Sequence, residues 1–143
     1  MSRPLRVSAG RPVVVDSTVA FKWFDGSEIG ADVALDLLRQ HKRDEVALLA
    51  PAHMPLEVLS IFVSRRMTTI DMEHALAFLA DADLLIAPID DTLLIAAIRI
   101  VEAERLALYD AVFIALAAAL DAELVTADRR QSTTRSCRVR LIG

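Results

Sequence analysis

The stretch Leu108-Tyr-Asp-Ala-Val-Phe-Ile-Ala-Leu-Ala-Ala-Ala-Leu-Asp-Ala-Glu-Leu-Val-Thr-Ala-Asp128 decides the fold. From Ala111 to Leu120 it carries no polar residue, so a helix there has no solvent face and is buried on nearly all sides. Asp110 falls in the first turn of that helix, where free backbone N–H groups and the helix dipole favour a carboxylate. Residues 124–126 read as a short strand that returns Asp128 to one edge of the same core. The two aspartates are either caps or half of a cation site.

Upstream, the same alternation repeats. Val13-Val14-Val15 is an apolar strand with nothing polar on either face, as in a central strand covered on both sides. Asp16 ends it, and Ser17 and Thr18 open a short helix through Val19, Phe21, Trp23 and Phe24. Asp25-Gly26-Ser27 breaks that helix, and Glu28, three residues after Asp25, has capping-box spacing ahead of a helix over 29–40. Val46 to Leu49 is a second strand. Pro51 and Pro55 flank the start of a helix running to about Met67. Thr68-Thr69 caps a helix over 70–80, Leu84-Leu85-Ile86 is a third strand, and Asp90-Asp91-Thr92 caps a helix to about Glu104. Val139 to Ile142 reads as an edge strand. Short apolar strands alternating with helices predict a parallel sheet with helices on both faces.

Composition limits the function. One domain accounts for 143 residues, 55% of them hydrophobic. Residues 1–12 read as a poorly ordered leader and 13–143 as the folded domain. No uncharged apolar run reaches the roughly 18 residues that span a bilayer. The leader's Arg3, Arg6 and Arg11 precede no signal-type apolar segment. A single cysteine, Cys137, rules out an intrachain disulfide and a cysteine-built zinc site. These features predict a soluble cytoplasmic protein. The net charge of −4 is not the basic balance of a protein that grips nucleic acid mainly by phosphates. Yet Arg129, Arg130, Arg135, Arg138 and Arg140 follow Asp128 with no acid among them, a local cationic patch or simply a solvated surface.

Ligands of parallel sheets sit beyond the carboxyl ends of the strands. Asp16 and Asp128 follow strands, Asp110 opens a helix, and Glu57 lies on the first turns of the helix after the second strand. All four are expected at the same edge. Carboxylates crowded together raise one another's pKa unless a cation intervenes, and their hard oxygens suit Mg²⁺ or Mn²⁺. Such ions activate water and orient a phosphodiester. Arg65 or Arg66, Arg129 and Arg130 are the candidate phosphate contacts. Each acid taken alone also reads as a cap or a solvent-facing residue, so the case rests on joint placement.

Four segments carry a resemblance. Residues 14–24 (VVDSTVAFKWF), 55–59 (PLEVL), 108–117 (LYDAVFIALA) and 124–130 (LVTADRR) resemble, in order and spacing, the acidic motifs of the PIN-domain nucleases, in particular the VapC-type toxins of bacterial toxin–antitoxin pairs. The resemblance covers residues 13 to 142. It implies a three-layer α/β/α fold and a Mg²⁺- or Mn²⁺-dependent ribonuclease. Asp16 and Asp110 would be the principal metal ligands, Glu57 and Asp128 would complete the acidic site, and Thr18 and Thr126 would support it through their hydroxyls. It also implies a homodimer and a small antitoxin partner. The chain departs from the family in its longer leader and in Arg105-Leu-Ala, which stands where a glycine is common before Tyr109.

Other features are weighed against this reading. His53 and Glu57 share a helix face at a spacing that can hold a transition metal, but no second histidine matches, and a surface or partly buried histidine is expected. Trp23 and Phe24 are expected in the core or an interface rather than stacked on bases. Lys22 is a phosphate contact or a solvated lysine. Cys137 has no activating neighbour beyond Arg138. A phospho-receiver domain would need an acidic pair after the first strand and a late lysine, and no lysine follows Lys42. The alternatives are an RNA-processing PIN nuclease without an antitoxin and a catalytically silent binding module.

Overall fold

The computed structural model describes residues 10–143. Five strands form one parallel sheet: β1 (Arg11–Val15), β2 (Val46–Pro51), β3 (Leu85–Ala87), β4 (Glu123–Thr126) and β5 (Val139–Leu141), in the order β3-β2-β1-β4-β5. Six helices accompany them: α1 (Ser17–Phe21), α2 (Ala31–Lys42), α3 (Met54–Ser64), α4 (Thr69–Asp81), α5 (Asp91–Glu104) and α6 (Leu108–Ala119). The result is a three-layer α/β/α fold. Most of the expected leader lies outside the described residues. Its last two residues, Arg11 and Pro12, belong to β1, in register with Val46 and Ala47.

The sheet is built around β1. Val13, Val14 and Val15 are fully buried, with β2 on one side and β4 on the other. Helix α6 packs on β1, β2 and β4, and α5 covers it. Ala111 through Ala117 are all buried, as their lack of a polar face demands. The burial stops at Ala118.

The helix starts differ in one instructive way. Thr68 caps α4 with a reciprocal bond to Asp71, and Asp90 caps α5 by accepting from Leu93 N–H. The box expected from Asp25 and Glu28 does not form. Asp25 accepts from Ser27, Glu28 pairs with Lys22 and Arg65, and α2 begins two residues later than expected, after Gly30. Gly30 holds φ 85°, a left-handed conformation that favours glycine. Pro51, expected to flank a helix, is the last residue of β2, and α3 ends at Ser64, three residues short of Met67.

The strand order reverses direction between β1 and β4. In an open parallel sheet a crevice forms at that point, beyond the carboxyl ends of the two strands. Asp16 directly follows β1, and Asp128 lies two residues beyond β4.

Candidate active site

Asp16 is both cap and buried acid. Its Oδ1 accepts from the Val19 N–H (3.1 Å) and from the Thr18 hydroxyl (2.5 Å), closing the start of α1. Its Oδ2 accepts from the Thr126 hydroxyl of β4 (2.5 Å). A carboxylate offers about four lone pairs, so three bonds leave one acceptor position, on Oδ2. Burial pushes the pKa of Asp16 up to about 6, against the bonds from Thr126, Thr18 and Val19, and the charge of Asp110 adds to the rise. Only 3% of the residue is exposed.

Thr126 has one hydroxyl hydrogen and two acceptors within reach, Asp16 Oδ2 and Gln131 Oε1 at 2.8 Å. Its oxygen also accepts from the Asp128 N–H (3.0 Å). Both acceptors are satisfied together when Asp16 is protonated and donates to Thr126, which then donates to Gln131. The raised pKa of Asp16 agrees with that arrangement.

Glu57 and Asp110 face each other across an open cleft of about 360 Å³, lined by Ser17, Thr18, Glu57, Ser60, Ile61, Ser64 and Asp110. Glu57, on the second turn of α3, accepts from the Ser17 hydroxyl at 3.2 Å. Asp110 lies in the first turn of α6, but the cap position is Ala107, so the Asp110 carboxylate is not spent on capping. Burial raises both pKa values. The charge of Asp110 adds to the rise of Glu57, and that of Asp128 to the rise of Asp110, opposed there by Arg130 and His53.

Asp128 is half exposed and turns one oxygen onto the Arg130 N–H (2.9 Å). Arg129 and Arg130 are exposed. Arg65 is differently placed. Its guanidinium bonds Asp25 (3.2 Å) and Glu28 (2.5 Å) and lies 4.4 Å from the Phe21 ring centre. It is occupied where Arg129 and Arg130 are open.

Asp16, Glu57, Asp110 and Asp128 thus form a chain of mutually repelling charges with Asp110 at its hub. Among the described residues, no three Asp, Glu, His or Cys side chains are gathered into a ready-made metal cage. The donor chemistry nonetheless fits a hard divalent cation. The ligand atoms are carboxylate oxygens, no amine lines the cleft, and a cation would offset the burial and, with it, the lesser repulsion that raise three of the four acids.

Three features escape the sequence reading. His53, expected at the surface or partly buried, is buried. Its Nε2–H donates to the Tyr109 carbonyl (3.2 Å), its ring packs on Phe113, and Nδ1 has no hydrogen-bond partner. Burial holds its pKa below the ordinary 6.5, so it is neutral at pH 7. Ser60 and Ser64 line the cleft, and their spacing of three and seven from Glu57 does place them on one helix face. Gln131, 1% exposed, carries no local signal at all. Trp23 is core, its indole N–H donating to the Ala34 carbonyl (2.8 Å), and Phe24 packs on Phe62 and Phe78. Lys22 is buried against Glu28 rather than solvated. Burial pushes the Cys137 thiol up to about 11, consistent with an inert side chain.

Comparison with known proteins agrees with this architecture. Among curated proteins none matches the chain in sequence. Solved structures share its fold, three of them as follows. VapBC2 from Rickettsia felis, bound to a DNA fragment from its promoter, superposes with a TM-score of 0.70 at 13% identity, over 92% of this chain and 99% of that one. VapC20 of Mycobacterium tuberculosis, a sarcin–ricin loop cleaving toxin, gives 0.67 at 14%, over 88% and 98%. A toxin–antitoxin complex from Klebsiella pneumoniae gives 0.66 at 16%, over 90% and 95%. At such identities these likenesses establish the fold. The family model described as PIN domain matches residues 13–136, and on that match, spanning most of its length, the chain belongs to the PIN-domain family.

Proposed function

We propose that this protein is a Mg²⁺- or Mn²⁺-dependent endoribonuclease and the toxin half of a toxin–antitoxin pair. The observation that carries the reading is the Asp16–Asp110–Glu57 group: three acids with raised pKa, fixed by rigid elements around a polar cleft at the reversal of the strand order. Asp16 and Asp110 would hold the cation, and Glu57 and Asp128 would complete its surroundings. The bound cation supplies Lewis acidity toward water and the phosphodiester. Thr18 and Thr126 fix the Asp16 carboxylate from both sides. Ser17 aims Glu57 into the cleft. Arg129 and Arg130, exposed beside Asp128, are placed to take RNA phosphates, while Arg65 is committed to Asp25 and Glu28.

The partners follow from surface and kinship. Ile29, Leu56, Val63, Ile70, Ile86 and Ile98 stand exposed. An apolar groove of about 310 Å³, lined by Leu49, Leu85, Ile86, Pro88, Leu116 and Leu120, adds to these. A homodimer and a bound antitoxin would cover such faces, and two of the structures sharing this fold are toxin–antitoxin assemblies. No described helix is long and apolar enough to cross a membrane.

The test is cleavage of a total RNA pool by purified protein freed of partners, with Mg²⁺, Mn²⁺ or EDTA, and Asp110→Asn as the control. The expected outcome is metal-dependent cutting, lost more than about 100-fold in the variant, beyond what an outer-shell substitution usually costs. Cuts that survive the substitution would come from a contaminant. Folded protein that neither cleaves RNA nor binds Mn²⁺ would overturn the reading.

A further inference from the structure

We propose that Gln131 is a positioning residue that sets the spacing between Asp16 and Asp110 and so the affinity of the site for its cation. The inference rests on the metal-site reading above. Gln131 begins the 3₁₀ turn Gln131–Thr133 that follows Asp128, and its side chain runs inward. Its Oε1 accepts from the Thr126 hydroxyl at 2.8 Å, and its Nε2–H donates to the main-chain carbonyl of Asp110 at 3.1 Å.

Those two partners make this more than a satisfied buried amide. Thr126 Oγ1 is the atom that grips Asp16 Oδ2, the oxygen with an open acceptor position. The Asp110 carbonyl belongs to the residue that faces the cleft from α6. One amide therefore ties the support of the first acid to the backbone of the second. Asp16 follows β1 and Asp110 opens α6, and 94 residues separate them in the chain, so their relative position depends on tertiary ties. The bond from Gln131 fixes the first turn of α6, which lacks a side-chain cap of its own. Gln131 Oε1 and Asp16 Oδ2 both lie within reach of the single Thr126 hydroxyl hydrogen.

An apolar side chain of the same length keeps the volume and removes both bonds. Mn²⁺ binding to the full chain, read by calorimetry and by the electron paramagnetic resonance of free Mn²⁺, compares wild type, Gln131→Met, Gln131→Asn and Leu38→Ala. Leu38 is a core residue on α2, which gives no residue to the cleft, so its truncation lowers stability without touching the acids. Gln131→Met is expected to weaken Mn²⁺ binding about 10- to 100-fold, the usual range for an outer-shell partner. Gln131→Asn keeps the amide but is one methylene too short to span both partners. It is expected to weaken binding about 10-fold or more, and it carries the test should the methionine variant not fold. Leu38→Ala should stay within about twofold of wild type, as expected of distant, uncoupled sites. Wild-type affinity in a folded Gln131 variant overturns the proposal, and so does equal weakening in Leu38→Ala. Failure of the wild type itself to bind Mn²⁺ overturns the metal-site reading, a separate result from either of these.

Discussion

Thr18 and Ile61 line two neighbouring hollows, and the acids in them live under opposite rules. On the cleft side, Glu57 and Asp110 line the cleft with the buried Asp16 close to Asp110, and burial lifts every one of their pKa values. On the other side, beside Phe21, Glu28 is also pulled upward by burial. Bonds from Arg65 and Lys22 outweigh that pull, and its pKa falls below the ordinary 4.5. Asp25 falls too, through its bonds from Ser27 and the charge of Arg65. The same residue types are thus paired and spent in one place, unpaired and available in the other. A structural ion cluster completes itself with protein cations. A ligand site leaves the charge for something else to neutralise.

The largest effect expected comes from removing the most deeply buried charge of the unpaired group. Asp16 has its folded pKa raised from 3.8 to about 6. Its neutral form is therefore favoured by folding, and the stability it contributes is fully present below pH 3.8 and is lost as pH rises through about 6. That difference corresponds to about 3 kcal/mol in the cation-free protein at pH 7. Asp16→Asn should recover it. The amide N–H₂ would donate to Thr126, which would pass its hydrogen to Gln131, completing the chain that ionisation interrupts. Denaturant unfolding in EDTA should find wild type and variant alike below pH 4 and the variant more stable by about 3 kcal/mol at pH 7, while RNA cleavage is lost. A variant less stable than wild type at both pH values would mean that Asp16 serves the fold and not a ligand.

Breaking the paired group should do the reverse. Glu28→Gln deprives the buried Lys22 ammonium of its carboxylate at 3.2 Å and Arg65 of one of its two. Leaving a buried donor poorly satisfied costs about 2 kcal/mol. The sign of the pH dependence is also opposite. The stability Glu28 contributes is present above pH 4.5 and lost as pH falls through its lowered folded value. Unfolding of Glu28→Gln should show a deficit at pH 7 that shrinks toward pH 3, with Mn²⁺ binding unchanged. A loss of Mn²⁺ affinity would show that the two hollows are coupled through Thr18 and Ile61.

The contrast also marks what the sequence can and cannot reveal. Val13 to Val15, the apolar Ala111 to Ala117 and the caps at Thr68 and Asp90 are local patterns, and they place β1, α6, α4 and α5 correctly. Asp16 and Asp110 are legible for the same reason, one at a strand end and one in a first helical turn. Asp25 and Glu28 mislead because their spacing fits a local cap, whereas Arg65, their partner, lies 40 and 37 residues away. Arg65, a candidate for phosphate from its place on the Glu57 helix, is taken by the same pairing. Gln131 is a polar residue with no periodicity to betray it, and only the assembled core shows what its side chain reaches.

The smallest effect expected belongs to a residue in neither hollow, and it supplies the reference for both. Arg105 closes α5 with φ 57° and ψ 37°, a left-handed conformation that crowds the Cβ of any residue but glycine. Its N–H donates to the Val101 carbonyl at 2.8 Å, a bond made by the backbone and independent of the side chain. Arg105→Gly removes the crowding and keeps the bond. It also gives the unfolded chain more freedom, which offsets part of the gain. The net should be a stabilisation of about 1 kcal/mol or less. The turn leads through Leu106 to Ala107, the N-cap of α6, and no residue from 105 to 107 lines the cleft, so the pH slope of unfolding and the affinity for Mn²⁺ should not change. Were the glycine to weaken Mn²⁺ binding, the entry into α6 would have to be counted among the elements that hold Asp110, and the unpaired group would extend beyond the cleft.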